Sequence, residues 1–345
     1  MALYIGIYVI FCLAYAFVRS EFSKKIAFLI MMPAMILFAG TRDWVGCDFY
    51  GYLKRFERYQ SYSFEEYGSN ADFGFTLINY FVSGLDLDYM WVNLFCALIF
   101  FVCLTFFALR RENPLGLLAL FFPILIVQLA MSGIRQATAT AILLLAWNAF
   151  VDGKRFRVLA WILIAGTFHS TAIIFLPMFF LVNRTFAAWK LLLASIVIAP
   201  LALLFAGEQV TVYQQRYIEG DVQSLGALFR LGLIVITVVM FEMYRTGFKE
   251  KYPEDYELMR AFSLFSIGLV VVFFVSTLVA HRLAYYVTPV QLLILMRLPI
   301  VINERYRSAL ISSGPYLVYG LYMLVWFGTS RHANICYVPY DSYLF

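Results

Sequence analysis

At 345 residues, 63% hydrophobic, 19% aromatic and 14% charged, with a mean hydropathy of +0.80, the chain holds more apolar surface than a water-soluble core could hide, which excludes a soluble globular protein. The net charge of +5 selects no anionic partner, because the basic loops of a multi-span protein supply such a sum by themselves, and no nucleic acid is expected. The fold class is therefore all-α: a polytopic integral membrane protein, one transmembrane domain over 1–345, with about 11 to 12 transmembrane or half-membrane helices and amphipathic segments beside them.

Taken in order, the apolar runs predict spans over 2–18, 26–40, 89–109, 114–131, 134–151, 158–168, 169–182, 191–206, 227–244, 261–280, 283–300 and 309–327. The first, "ALYIGIYVIFCLAYAFV", is followed by Arg19, Lys24 and Lys25 without a small-residue cleavage site, so it reads as a retained span rather than a signal peptide. Segment 73–85, "FGFTLINYFVSGL", is short for a span, and 158–182 is either one long helix or two short ones broken near His169. No internal repeat or low-complexity tract stands out.

Charge orients these spans. If 73–85 does not cross and 158–182 enters and returns, 17 of the 26 lysines and arginines fall on one face, in groups at 19–25, 110–111, 154–157, 184–190, 245–260 and 297–307. The positive-inside rule makes that face cytoplasmic. The outer face then receives both termini, the loop 41–88, the junction 131–136, the loop 207–226 and the pair His281-Arg282. Two half-depth helices meeting near His169 require broken backbone that is buried in protein or lines a wet cavity, which is a site-like feature. Cys12, Cys96 and Cys103 lie in apolar spans as packing residues. Cys47 and Cys336 lie in polar segments, where a disulfide is one option and two separate thiols the simpler one; no Cys/His spacing matches a metal site.

The unusual charges gather on the outer face. Arg135 stands at the outer start of a span with Ser132 placed to cap it, Arg230 about one turn into the next outward-starting span, and Arg282 at the start of "LAYYVTPVQLLILM". Helix N-termini carry unpaired N–H donors and about half a positive charge, and a guanidinium fork grips phosphate oxygens in pairs, so three such ends would suit a diphosphate. For any single arginine, snorkelling to the headgroups explains the position equally well. His169, in "GTFHSTAIIFLP", and His281 are buried imidazoles that serve either as hydrogen-bonded packing residues or as a general base. The loop "GTRDWVGCDFYGYLKRF" adds Arg42, Asp48 and Tyr50 among other aromatics: an interfacial belt, or a surface whose carboxylate takes sugar hydroxyls while its rings stack on C–H faces.

Four stretches in this order, "GTRDWVGCDFYGYLKRF" (40–56), "MSGIRQATATAILLLAW" (131–147), "GTFHSTAIIFLP" (166–177) and "VPYDSYLF" (338–345), resemble the EpsG family of Wzy-type polysaccharide polymerases; "HRLAYYVTPVQLLIL" (281–295) fits as well. The resemblance implies a GT-C-like enzyme of the bacterial inner membrane that works at the periplasmic face. There it transfers a growing glycan from undecaprenyl pyrophosphate to an incoming undecaprenyl-pyrophosphate-linked repeat unit, without nucleotide sugar, cofactor or metal, beside a Wzz-type chain-length regulator. It carries over Arg42, Asp48, Arg135-Gln136, His169 and Arg282; together with the outer-face residues read above, the expected catalytic set is His169, Asp48, Arg135 and Arg282, and the expected substrate-binding set is Arg42, Arg135, Gln136, Arg230, His281, Arg282, Tyr50 and Tyr340. Cys47 departs from the family pattern, which has threonine before the aspartate. Rival readings are a flippase or exporter of lipid-linked oligosaccharide, which would show a pseudo-symmetric repeat, an O-antigen ligase using the same donor, and a structural assembly protein.

Overall fold

A computed structural model describes residues 1–62, 72–184, 225–302 and 309–344. Among these the chain is helical: α1 (Ala2–Phe17), α2 (Glu21–Gly40), α3 (Phe49–Tyr59), α4 (Phe73–Gly84), α5 (Tyr89–Ala108), α6 (Pro114–Phe121), a π-helix (Phe122–Ala130), α7 (Ile134–Val151) and α8 (Arg155–Phe168). A 3-10 turn (Ser170–Phe175) and α9 (Met178–Leu181) follow, then α10 (Leu225–Met243), α11 (Arg245–Lys251), α12 (Pro253–Val275), α13 (Thr277–Ile302), α14 (Ala309–Thr329) and α15 (Arg331–Tyr337). The one extended pairing among the described residues is an antiparallel bridge between Arg42 and Ser342. The expected span 191–206 and the loop 207–224 lie outside the described residues.

Among the described residues five helices are long and apolar enough to cross a bilayer, Glu21–Gly40, Tyr89–Ala108, Ile134–Val151, Pro253–Phe274 and Val279–Ile302, and a sixth span arises if the pair α10 and α11, bent by 75°, counts as one. Shorter apolar helices at Ala2–Phe17, Pro114–Ala130 and Ser170–Leu181 accompany them. The chain is thus an all-α, multi-pass membrane protein. Segment 73–85 forms the 12-residue α4, too short to cross. Of the two forms open for 158–182 the chain takes the broken one: α8 ends at Phe168 and Ser170 opens the 3-10 turn.

Two boundaries differ from expectation because caps, not charges, set helix ends. The break expected between 280 and 283 occurs at Ser276, whose backbone is extended and whose hydroxyl accepts the Val279 N–H at 3.4 Å. His281 and Arg282 therefore lie inside α13, in its second turn. Likewise α2 starts earlier than residue 26, at Glu21, because the Ser20 hydroxyl accepts the Ser23 N–H at 3.0 Å. The run 114–131 opens as an α-helix capped by Asn113 and widens into the π-helix at Phe122-Pro123, where proline cannot complete the α-helical ladder.

The chain divides into two compact units. The first comprises Met1–Leu145, Leu163–His169 and Ser308–Phe345; the second comprises Ala146–Ile162 and Ser170–Arg307. In the first, α3 buries Phe49, Tyr52, Phe56 and Tyr59 at helical spacing and exposes Tyr50, Lys54, Glu57 and Arg58, so it lies along the surface. The C-terminal tail is bound to the loop after α2. Asp43 N–H donates to Asp341 O (3.0 Å), Tyr343 N–H to Thr41 O (2.8 Å) and Gly46 N–H to Cys336 O (2.6 Å). Cys47 and Cys336 form a disulfide with their Cα atoms 4.9 Å apart, where two separate thiols were the simpler expectation. In the second unit, Asp255 and Arg297 make a buried ion pair at 2.6 Å, with the guanidinium 4.1 Å over the Tyr252 ring. A cavity of about 10 Å³ beside Thr237, Ser263 and Gln291 has room for a water and no more.

Cys47 and Cys336 should therefore resist a polyethylene-glycol maleimide in native membranes until reductant is added, while Cys47→Ser should leave Cys336 reactive without it. Mass-shift gels read both, and labelling of the untreated wild-type pair would remove the cross-link.

Candidate functional site

The site grows from the turn Met131-Ser132-Gly133, where the π-helix ends and α7 begins. Arg42 lies beneath it, 1% exposed. Its Nε donates to Val45 O (3.0 Å) and Met131 O (3.1 Å), Nη2 to Asn93 Oδ1 (3.1 Å) and Nη1 to Ala39 O. Expected among the substrate ligands, Arg42 is instead a buried strut that ties the loop after α2 to the end of the π-helix. Gly46, at φ +105°, completes this contact: a Cβ there would run into the Met131 carbonyl, and its backbone angle is one that only glycine adopts without strain.

Held this way, the loop delivers Asp48 to Ser132. The Ser132 hydroxyl donates to Asp48 Oδ2 at 3.1 Å and accepts the Asp48 N–H at 3.3 Å. Ser132, expected to cap α7, is thus committed to the aspartate. Asp48 is half-buried at the head of α3, with Oδ1 open among the described residues.

Arg135 projects from the first turn of α7 and makes an ion pair with Asp72; its side chain is 14% exposed. Its Nε points at the Tyr52 hydroxyl (3.5 Å), and its guanidinium carbon lies 5.5 Å from the Tyr52 ring and 5.9 Å from the Phe75 ring. Asp72 is the residue that sequence reasoning missed. The available signal was its place just before an apolar helix, since Asp72 precedes α4. The start of α4 in turn abuts the end of α8, because Gly74 leaves room where a Cβ would sit 2.5 Å from Thr167 Oγ1 and 3.0 Å from the Phe168 ring. His169 follows directly, with its N–H donated to Ala165 O at 3.0 Å. Neighbouring contacts therefore link Asp48, Ser132, Arg135, Asp72 and the chain around His169 within the first unit.

Two rings border this group in the open. Trp44 is 60% and Tyr50 56% exposed, their centroids 6.1 Å apart and their planes 24° from parallel. Trp44 takes a left-handed backbone, φ 50°, a conformation that costs a bulky residue about 1–3 kcal/mol and persists only where the surroundings fix it. Tyr340, expected beside the sugar, serves the packing: its ring stacks on Phe38 at 4.8 Å and its hydroxyl donates to Phe38 O at 2.8 Å. Burial and then the Asp43 carboxylate push the Tyr343 phenol up to about 12, so it keeps its proton against Asp43 at neutral pH. Gln136, the next residue of α7, is buried.

The second unit holds the other expected residues. Buried Arg230 sets its guanidinium carbon 3.9 Å over the Tyr285 ring, and its Nη1 lies 3.2 Å from the His281 ring nitrogens. His281 packs edge-on against Tyr285 at 5.5 Å, and Arg282 is half-buried in the same turn of α13. Among the described residues no group of three His, Cys, Asp or Glu side chains could hold a metal ion.

A family model described as the EpsG family matches residues 25–342. No curated protein and no solved structure matches the chain.

Arg42→Ala should destabilise the fold by about 3 kcal/mol or more, because it strands buried carbonyls and leaves a cavity. Arg42→Lys should restore little, having one donor group where four acceptors converge. Thermal unfolding of detergent-purified protein checks this; a wild-type midpoint for Arg42→Ala would show the strut to be dispensable.

Proposed function

Because the chain belongs to the EpsG family, whose role is polysaccharide-polymerase-like, we propose that it is a Wzy-type polymerase. In this reading it transfers a growing glycan from undecaprenyl pyrophosphate to an incoming lipid-linked repeat unit. The observation that carries the reading is Arg135: a guanidinium at a helix start, flanked by a carboxylate and two rings, beside an aspartate fixed by a serine. The chemistry asks for such a group. An acceptor hydroxyl gives its proton to a base and attacks the anomeric carbon, a new C–O bond forms, and the bond to phosphate breaks with its electron pair leaving on the lipid pyrophosphate. Charge builds on that leaving group, and a preorganised cation stabilises it most. Arg135 takes this role, its fork exchanging the Asp72 carboxylate for phosphate oxygens.

His169 is the first candidate for the base and Asp48 the second; the open Oδ1 of Asp48 equally suits orienting the acceptor hydroxyl. Arg230, His281 and Arg282 are assigned phosphate recognition in the second unit on their own chemistry, a cationic cluster lined by a tyrosine. A periplasmic site in the bacterial inner membrane is supported by the Cys47–Cys336 disulfide, which joins loop and tail on one side and belongs to an oxidising compartment, and by the basic loops assigned to the opposite face.

Purified protein given synthetic undecaprenyl-pyrophosphate-linked repeats and no nucleotide sugar should yield a ladder of glycan lengths that survives EDTA. Arg135→Ala, at equal membrane level, should lower that yield by about 10²–10³-fold. Undiminished long polymer would remove Arg135 from the mechanism, and lipid-linked glycan crossing liposomes without a ladder would point to transport.

Asp72→Asn separates two uses of the carboxylate. If Asp72 orients Arg135, kcat should fall by about tenfold with KM little changed. If it only occupies the cation until phosphate arrives, KM should fall instead. Steady-state kinetics on the same substrate decides between them.

A further inference from the structure

The Trp44–Tyr50 pair is a largely exposed aromatic feature to which the polymerase step described above gives no part. Most of both rings faces outward, and no enclosed core gains from them. Trp44 nevertheless holds a left-handed backbone, φ 50°, between chain neighbours that are themselves fixed. On one side Arg42 is buried and bonded; on the other Val45 is buried, Gly46 is locked against Met131, and Cys47 is cross-linked to Cys336. The Asp43 N–H is tied to the tail. A surface loop under no demand would relax such a residue or replace it with glycine. The Trp44 ring packs against buried Phe49, centroids 5.6 Å apart and planes tilted by 38°, and the residue still keeps most of its surface exposed.

The surroundings separate a sugar from lipid tails. Tyr50 lies on the exposed face of α3, one turn before Lys54, whose Nζ is 5.7 Å from the Tyr50 ring and which pairs with Glu57 at 2.8 Å. A charged face of this kind meets water, not hydrocarbon. Asp48, between the two rings in sequence, has one oxygen fixed by Ser132 and the other open among the described residues. Flat aromatic faces that take pyranose C–H groups, beside a carboxylate that takes hydroxyls, are the two halves of carbohydrate recognition.

We infer that Trp44 and Tyr50 form a glycan-binding subsite, in which the apolar face of a pyranose in the acceptor repeat unit stacks on the indole and a hydroxyl of that sugar is accepted by Asp48. The strained loop is then the device that sets the indole next to the aspartate. The source of the sugar rests on the polymerase reading; the binding itself does not.

The test uses full-length protein in nanodiscs and the repeat-unit oligosaccharide of the host, released from its carrier so that it has neither lipid nor phosphate. The fluorescence of Trp44, taken as wild type minus Trp44→Phe, should change saturably with this oligosaccharide and stay unchanged when brominated phospholipid replaces the disc lipid. Trp44→Gly relieves the backbone strain, so it should fold with a thermal midpoint no lower than wild type. In the polymer assay its KM for acceptor should nevertheless rise about tenfold, with kcat within about twofold. Trp44→Phe should recover part of the loss. Quenching by brominated lipid without any response to oligosaccharide would make the pair a membrane anchor and overturn the inference, as would an unchanged KM in Trp44→Gly. Saturable binding in a wild-type protein that makes no polymer would uphold the subsite while the polymerase reading fails.

Discussion

The first unit depends on one buried cation. Arg42 leaves the end of α2 and turns into the protein, where it finds the carbonyls of Ala39, Val45 and Met131 and the amide oxygen of Asn93. A guanidinium without a countercharge is expensive to bury, and dipoles converging on its edge are the means of offsetting that cost. The arrangement fixes more than a side chain. Three of the four acceptors belong to backbone that would otherwise carry unsatisfied carbonyls at a helix end, in a turn and at the close of a π-helix. One residue satisfies all three, and in doing so determines where the loop carrying Trp44, Gly46 and Asp48 meets the turn carrying Ser132 and Arg135.

From that junction the remaining geometry follows by contact. Asp48 is held by Ser132, and Arg135 stands one turn along α7, close enough to α4 to take Asp72 as its counterion. The two arginines show how environment divides labour between identical side chains. Arg42 is sealed, with its donors directed at neutral oxygens, whereas Arg135 keeps some exposure and holds a carboxylate. The strut and the ion-paired arginine differ in access and in the charge of the partner, not in residue type.

That difference sets what a sequence discloses. Membrane spans are legible because hydropathy acts over whole windows. The break near His169 is legible because an ionisable residue between two apolar halves is costly in an unbroken span. Arg42 reads as a ligand because an arginine in a polar loop carries no mark of which way it points. Asp72 escapes notice because its meaning comes from a partner 63 positions away. At the start of α13, the charge of His281-Arg282 masks the stronger local signal, the serine cap at Ser276. Local chemistry within one element can be read directly; pairings between elements cannot.

The tail motif "VPYDSYLF" shows the same principle in reverse. Read alone, its tyrosines and aspartate look like ligands for a polar substrate. Folded, Tyr340 stacks on Phe38, Ser342 bonds Thr41, and the Tyr343 N–H closes on the Thr41 carbonyl. The segment works as a second tie on the loop, separate from the Arg42 bonds. With the disulfide it links the C-terminal segment to the loop that carries Asp48. A covalent tie there restricts the loop even if the hydrogen bonds of the tail open, because loop closure is already fixed. The tail and the buried arginine together hold the loop on either side of Trp44 in the chain, and a strained residue persists only where its neighbours are fixed in this way.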